Sequence, residues 1–265
     1  MRLHSFIFFI LTIGLLFILS GLVFIRKDDV QTIINTHIHP SKQTIVLGET
    51  NEYYRPYDFN FVQNTTDFSP ENLQNILNIY YTIINAGKDK FTFYCPTDYE
   101  ECLLDIQDLA NNQDILSDIN NYVHPFNGFA HIATEYDSLG KVTVTIEKTY
   151  SPEEIDAINS KVNELTLQLY NDNLSYVDNI RNIHDYIINN TKYDSGRSDY
   201  GDTTYKSDTA YGPLFQGYAI CGGYTDLMEL FLERMELKNF KVSSDMHVWN
   251  AINIDNNWYH LDLTW

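Results

Sequence analysis

A thiol, an imidazole and a carboxylate follow one another near the end of this chain, in an order that permits nucleophilic catalysis. Cys221 stands in Gly217-Tyr218-Ala219-Ile220-Cys221-Gly222-Gly223-Tyr224, His247 in Met246-His247-Val248-Trp249-Asn250, and Asp262 in Trp258-Tyr259-His260-Leu261-Asp262-Leu263-Thr264-Trp265. A thiol needs a base to become a thiolate, and the base needs a third group to fix its tautomer and orientation. The chemistry open to such a set is attack on a carbonyl carbon, with a thioester as the intermediate.

The elements that must position these groups are legible around them. Leu227, Met228, Leu230, Phe231 and Met235 recur at helical spacing behind Gly222 and Gly223, which predicts a helix that begins at Cys221. Unpaired N–H groups and the positive end of the helix dipole favour a thiolate at that position. Downstream, Val248 to Ile254 and Trp258 to Leu263 are β-rich and separated by Asp255-Asn256-Asn257, which predicts a hairpin. Side chains alternate with period two, so a loop with an even number of residues puts His247 and Asp262 on one face. A four-residue loop would place them directly opposite, with Cβ atoms about 5 Å apart. Singly, each residue has a structural alternative: a buried apolar thiol, a satisfied core histidine, a turn-capping aspartate. Jointly, spacing and order favour the site.

In these residues, from about Ile183 to Trp265, the chain resembles the transglutaminase-like superfamily of papain-related cysteine enzymes. The resemblance implies an α+β fold with a transglutaminase-like (papain-like) core, in which a nucleophile-bearing helix packs on an antiparallel sheet. It implies thiol-mediated acyl transfer or hydrolysis on amide bonds of peptides or proteins, with Cys221 as nucleophile, His247 as base and Asp262 as its orienting group. It also suggests Gln216, five residues before the thiol, as an oxyanion donor alongside the Cys221 N–H. Met246 and Val248 replace the small residues that usually flank the family's His and would narrow the cleft. No cofactor and no metal are implied. Cross-linking, deamidation and proteolysis remain open, because the choice depends on access of water and of a second amine. A non-catalytic module that binds peptide or wall material is the rival reading. The family usually continues with more sheet after the Asp strand, so the domain is expected to be truncated at its C-terminal end.

The remaining chain sets the context. A net charge of -19 without a basic patch argues against nucleic acid as a partner. Phe6 to Ile25 carries no charged residue and is long enough to cross a bilayer about 30 Å thick as a helix. Residues 1–27 are therefore expected to be a transmembrane anchor, 28–68 a stalk or linker, 69–150 a small α+β module, and 151–265 the transglutaminase-like domain. In the module, a helix starts at Ser69-Pro70 and stops before Gly87, Lys90 to Cys95 is a strand, Glu100 to Leu109 a helix, and Gly128 to Tyr136 with Lys141 to Lys148 a hairpin. Ser151 and Glu154 form a capping-box pattern ahead of a helix to about Tyr170, and a second helix runs through Val177 to Ile188, with His184 expected among its neighbours in the core. Lys192 to Gly212 reads as a surface loop bordering the cleft.

Cys95 and Cys102 either form a disulfide, leaving Cys221 as the free nucleophile, or are both reduced and buried. Basic residues on both sides of the apolar stretch leave its orientation undecided. The family resemblance, together with a Cys95–Cys102 pair if it forms, points to an extracytoplasmic catalytic domain on the cell membrane, and that location alone offers cell-wall peptides or surface proteins as substrates. Thr36-His37-Ile38-His39-Pro40 has the His-x-His spacing of a metal site, but too little chain remains for a barrel around it, and no metal is assigned.

Overall fold

In the computed structural model, which describes residues 45–264, apolar residues three and four apart from Ile76 to Ile84 form the inward face of helix α1 (Leu73–Asn85). Its cap is Asn72, whose side chain accepts from the Asn75 N–H, so the helix begins three residues later than Ser69-Pro70 suggested. α1 packs on an antiparallel sheet of β1 (Lys90–Tyr94), β2 (Phe129–Tyr136) and β3 (Lys141–Lys148), in the order β1-β3-β2. Phe91 opposite Val144 and Phe93 opposite Val142 deliver one face of the sheet to the core. Helices α2 (Cys102–Asn111) and α3 (Gln113–Asn120) close that core. The sequence hides their separation. Asn112 leaves the helical conformation to end α2, and its side chain then accepts from the Ile115 N–H to cap α3.

The second half supplies the scaffold of the cysteine. α4 (Pro152–Leu169) opens with the expected capping box of Ser151 and Glu154, and α5 (Tyr176–Asn190) is capped by Ser175. A two-residue parallel pair, β4 (Lys192–Tyr193) with β5 (Tyr218–Ala219), flanks a short helix α6 (Ser195–Tyr200). Then come α7 (Cys221–Arg234) and an antiparallel sheet of β6 (Asn239–Ser244), β7 (His247–Ile254) and β8 (Asn257–Leu261), in the order β6-β7-β8. α7 is buried along most of its length, and Leu227, Met228, Leu230 and Phe231 join α4, α5 and Ile252 of β7 in the second core. Strand β6 escaped the sequence pattern because Lys241 lies in its middle. That lysine is largely buried and ion-paired with Asp226 of α7 at 2.8 Å.

Three expectations need correction. Residues 45–68, read as part of a stalk, pack into the first core through Phe59, Val62 and Phe68, and residues 45–264 fall within one compact unit. Their lack of period reflects irregular backbone held by side chains: Asn85 Nδ2 donates to the Arg55 carbonyl (2.8 Å) and Asn64 Nδ2 to the Tyr57 carbonyl (2.9 Å). His184 is half-exposed beside Asp185 rather than enclosed between helices, its Nδ1 lying 2.9 Å from the carboxylate. The segment from Lys192 to Gly212 is not all loop, since α6 lies within it. No helix among the described residues is long and apolar enough to cross a membrane. The anchor expected at Phe6 to Ile25 and the His37/His39 pair lie outside the described residues.

Candidate active site

Cys221 is the first residue of α7, and backbone contacts fix the start of that helix. An added Cβ on Gly223 would lie 2.3 Å from the Ser207 carbonyl oxygen and 2.9 Å from that of Thr209, and one on Gly222 would lie 3.0 Å from that of Asp208. The two glycines let the first turn sit against residues 207–209, and Ile220 N–H completes the seam by donating to the Ser207 carbonyl (2.8 Å). Ile220 is the helix cap and has no side-chain oxygen, so no side chain caps the N–H groups of the first turn. Cys221 is a free cysteine of intermediate exposure, whereas Cys95 and Cys102 form a disulfide with Cα atoms 5.7 Å apart.

The hairpin brings imidazole and carboxylate together. Asp255 (φ 51°) and Asn256 (φ 63°) both adopt the left-handed conformation of a two-residue hairpin turn. Ile254 therefore pairs with Asn257 and Asn250 with Leu261. This loop is even but shorter than four, so Asp262 lies diagonally across from His247 rather than opposite, just past the end of β8. The contact forms all the same, with His247 Nε2 2.6 Å from Asp262 Oδ2. Thr264, on the same face, was not anticipated. Its N–H (2.9 Å) and hydroxyl (2.8 Å) both donate to Asp262 Oδ1. Partial burial raises the Asp262 carboxyl, but the hydrogen bonds from His247 and Thr264 outweigh it and hold the group below its ordinary value. An ionised carboxylate only accepts, so the imidazole proton at this contact belongs on Nε2.

Strand β7 runs in the same sense as α7, which carries His247 toward the thiol end. Thr225, one turn after Cys221, donates its hydroxyl to the Val248 carbonyl (3.0 Å) and accepts at its own carbonyl from Asn250 Nδ2 (3.2 Å). Farther along, Asn239 pairs with Ile252 and its Nδ2 lies 3.5 Å from Glu233 Oε1. One step back along both elements leads to Cys221 and His247. Met246, next to His247, lines a cavity of about 360 Å³ together with Cys221, Tyr193, Arg197, Ser198 and Thr203. Arg197, held by Asp208 at 2.6 Å, is a cleft residue that the sequence marked only as part of a bordering segment. Gln216 is not among the residues lining this cavity. Its Oε1 accepts from the Lys206 N–H at 2.8 Å, which ties the amide to the bordering loop and leaves Nε2, the atom that would donate to an oxyanion, out of that contact.

Residues 160–264 match the family model of the transglutaminase-like domain, a span that contains Cys221, His247 and Asp262. This segment is a transglutaminase-like domain. No curated protein matches the chain. Among solved structures, a transglutaminase described as a TGase is 15% identical over 52% of this chain and 44% of its own, with a TM-score of 0.39. A candidate cysteine protease from Cytophaga hutchinsonii is 14% identical over 51% of this chain and 61% of its own, with a TM-score of 0.33. The chain thus spans less than two thirds of the length of either. The match to the transglutaminase-like domain begins within α4, well before the Ile183 at which the sequence resemblance starts.

Proposed function

We propose that the transglutaminase-like domain is a thiol-dependent enzyme that transfers or hydrolyses the acyl group of an amide in a peptide or protein. The observation that carries this reading is the His247–Asp262 contact at the end of the hairpin nearest the Cys221 helix start. With the proton on Nε2, a neutral imidazole presents Nδ1 as its basic nitrogen. Nδ1 takes the proton of the Cys221 thiol as sulfur attacks the amide carbonyl carbon. The tetrahedral oxyanion is met by the N–H groups at the start of α7. His247 then returns the proton to the departing amine and leaves a thioester. An incoming amine would turn this into an isopeptide cross-link, and water would turn it into a free carboxylate. Asp262 keeps the ring oriented through both proton transfers.

The Cys95–Cys102 disulfide favours an oxidising compartment, and with an anchor at residues 6–25 it supports an extracytoplasmic domain at the cell membrane. Peptides and proteins of the cell wall or surface are the substrates such a placement offers. The test is alkylation of Cys221 in the full chain, assigned by mass spectrometry, in wild type and His247→Ala. At about pH 6.5 an unassisted thiol of reference pKa about 8.5 is almost wholly protonated. Fast labelling there in wild type, lost in the variant, is the expected result. Equal, slow labelling of both would remove the assisted thiol and favour a module that only binds peptide or wall material.

A further inference from the structure

His247 is held on its ring face as well as at its edge. Trp249, two residues on and on the same side of β7, stacks with it at a centroid distance of 5.4 Å and an interplanar angle of 21°. Trp249 is itself fixed, since its indole Nε1–H donates to His260 Nδ1 at 2.8 Å. His260 pairs with Ala251 across the hairpin, which puts it on the face that carries His247, Trp249 and Asp262. A line of contacts therefore runs His260, Trp249, His247, Asp262 along one face of one hairpin. An indole held only by stacking can slide and tilt, whereas one whose N–H is anchored has a single favoured placement.

We propose that Trp249 and His260 are positioning residues for His247: His260 locks the indole, and the locked indole limits the swing of the imidazole about its Asp262 contact. The inference rests on His247 serving as the base for Cys221. The alternative is that Trp249 merely covers the sheet and finds a convenient partner for its N–H. The two differ in what they do to the thiol. Loss of a positioning residue slows only the reaction that needs the imidazole, whereas general loosening of the hairpin also affects reactions that do not.

The experiment measures Cys221 alkylation in the full chain for wild type, His247→Ala, His260→Ala, His260→Gln and Trp249→Phe. It is run at about pH 6.5 and again at about pH 10, where a thiol ionises without help. The expected result is that His260→Ala labels about tenfold more slowly at the lower pH, the worth of one net hydrogen bond, and at the wild-type rate at the higher pH. His260→Gln, whose amide oxygen can accept from the indole, should recover to within about threefold. Trp249→Phe keeps a ring but has no N–H, and should match His260→Ala, with no further loss when Trp249→Phe and His260→Ala are combined in one chain. The Trp249 indole proton should shift upfield in the NMR spectrum of His260→Ala as its acceptor goes. Wild-type labelling by His260→Ala beside a slow His247→Ala would overturn the positioning role while leaving the base in place. Slow labelling of His260→Ala at both pH values, or an unmoved indole signal, would also overturn it. Equal rates for wild type and His247→Ala would remove the base, and the positioning role with it.

Discussion

At Asp262 two opposing effects meet on one carboxyl. Partial burial disfavours its charge, and donors from His247 and Thr264 favour it more strongly. The folded carboxyl lies below its unfolded value of about 3.9, so the stabilisation it contributes is present above that pH and is lost as pH falls through the folded value. Asp262→Asn removes this charge but keeps an acceptor of similar shape. Urea midpoints should therefore show wild type above Asp262→Asn at about pH 7 and the gap closing toward about pH 3. Asp262→Ala removes the acceptor as well, and Cys221 labelling at about pH 6.5 should fall by about 10–100-fold, as expected for a hydrogen bond to a charged group. Asp262→Asn should fall less. If Asn and Ala were equally slow, the charge would matter more than the orientation.

The first turn of α7 depends on close backbone approach, and here the sequence was informative for a reason it did not reveal. Gly222 and Gly223 signalled a helix start behind the thiol. Their larger role is to leave room for the carbonyls of residues 207–209, which no local pattern announces. Gly223→Ala would drive a methyl group into two of those carbonyls, and neither can yield as a flexible side chain would. The cost should be about 1–3 kcal/mol, read as a lower urea midpoint, with slower Cys221 labelling at about pH 6.5 because the helix start moves. In the hairpin, alternation predicted the shared face correctly. The turn length, open among even values in the sequence, is two residues, because Asp255 and Asn256 take the left-handed conformation and Asn257 already pairs with Ile254.

On the scale of the whole molecule, buried charge ties the N-terminal part of the compact unit to the cysteine helix. Arg55 is 2% exposed, bonds Glu229 at 2.6 Å and also pairs with Glu233, while Lys241 reaches Asp226 on the same helix. Tyr150 extends the set by donating to Asp226 (2.6 Å) and accepting from the Ala210 N–H (2.8 Å), next to the loop that seats the first turn of α7. Burial raises the Glu229 carboxyl, and Arg55 and Lys241 pull it back without cancelling the effect. Arg55→Met would strand that carboxylate and should cost about 3–5 kcal/mol in denaturant unfolding, more than an exposed pair would. A loss under about 1 kcal/mol would mean that water already serves Glu229 in the wild type.

What the sequence determined by itself is local and periodic: the helices with apolar stripes, the capping box at Ser151, both hairpins, and the shared face of His247 and Asp262. Each follows from interactions within a few residues, or from a period that any folded context preserves. Tertiary structure alone decided which distant segments supply the rest. It packed the aperiodic segment 45–68 into the core, turned a lysine-bearing stretch into strand β6, drew Gln216 to Lys206, set Arg197 in the cavity that Cys221 lines and joined Trp249 to His260. None of these contacts leaves a periodic mark. Their partners are chosen by burial and by the need to satisfy polar groups once the chain has closed on itself.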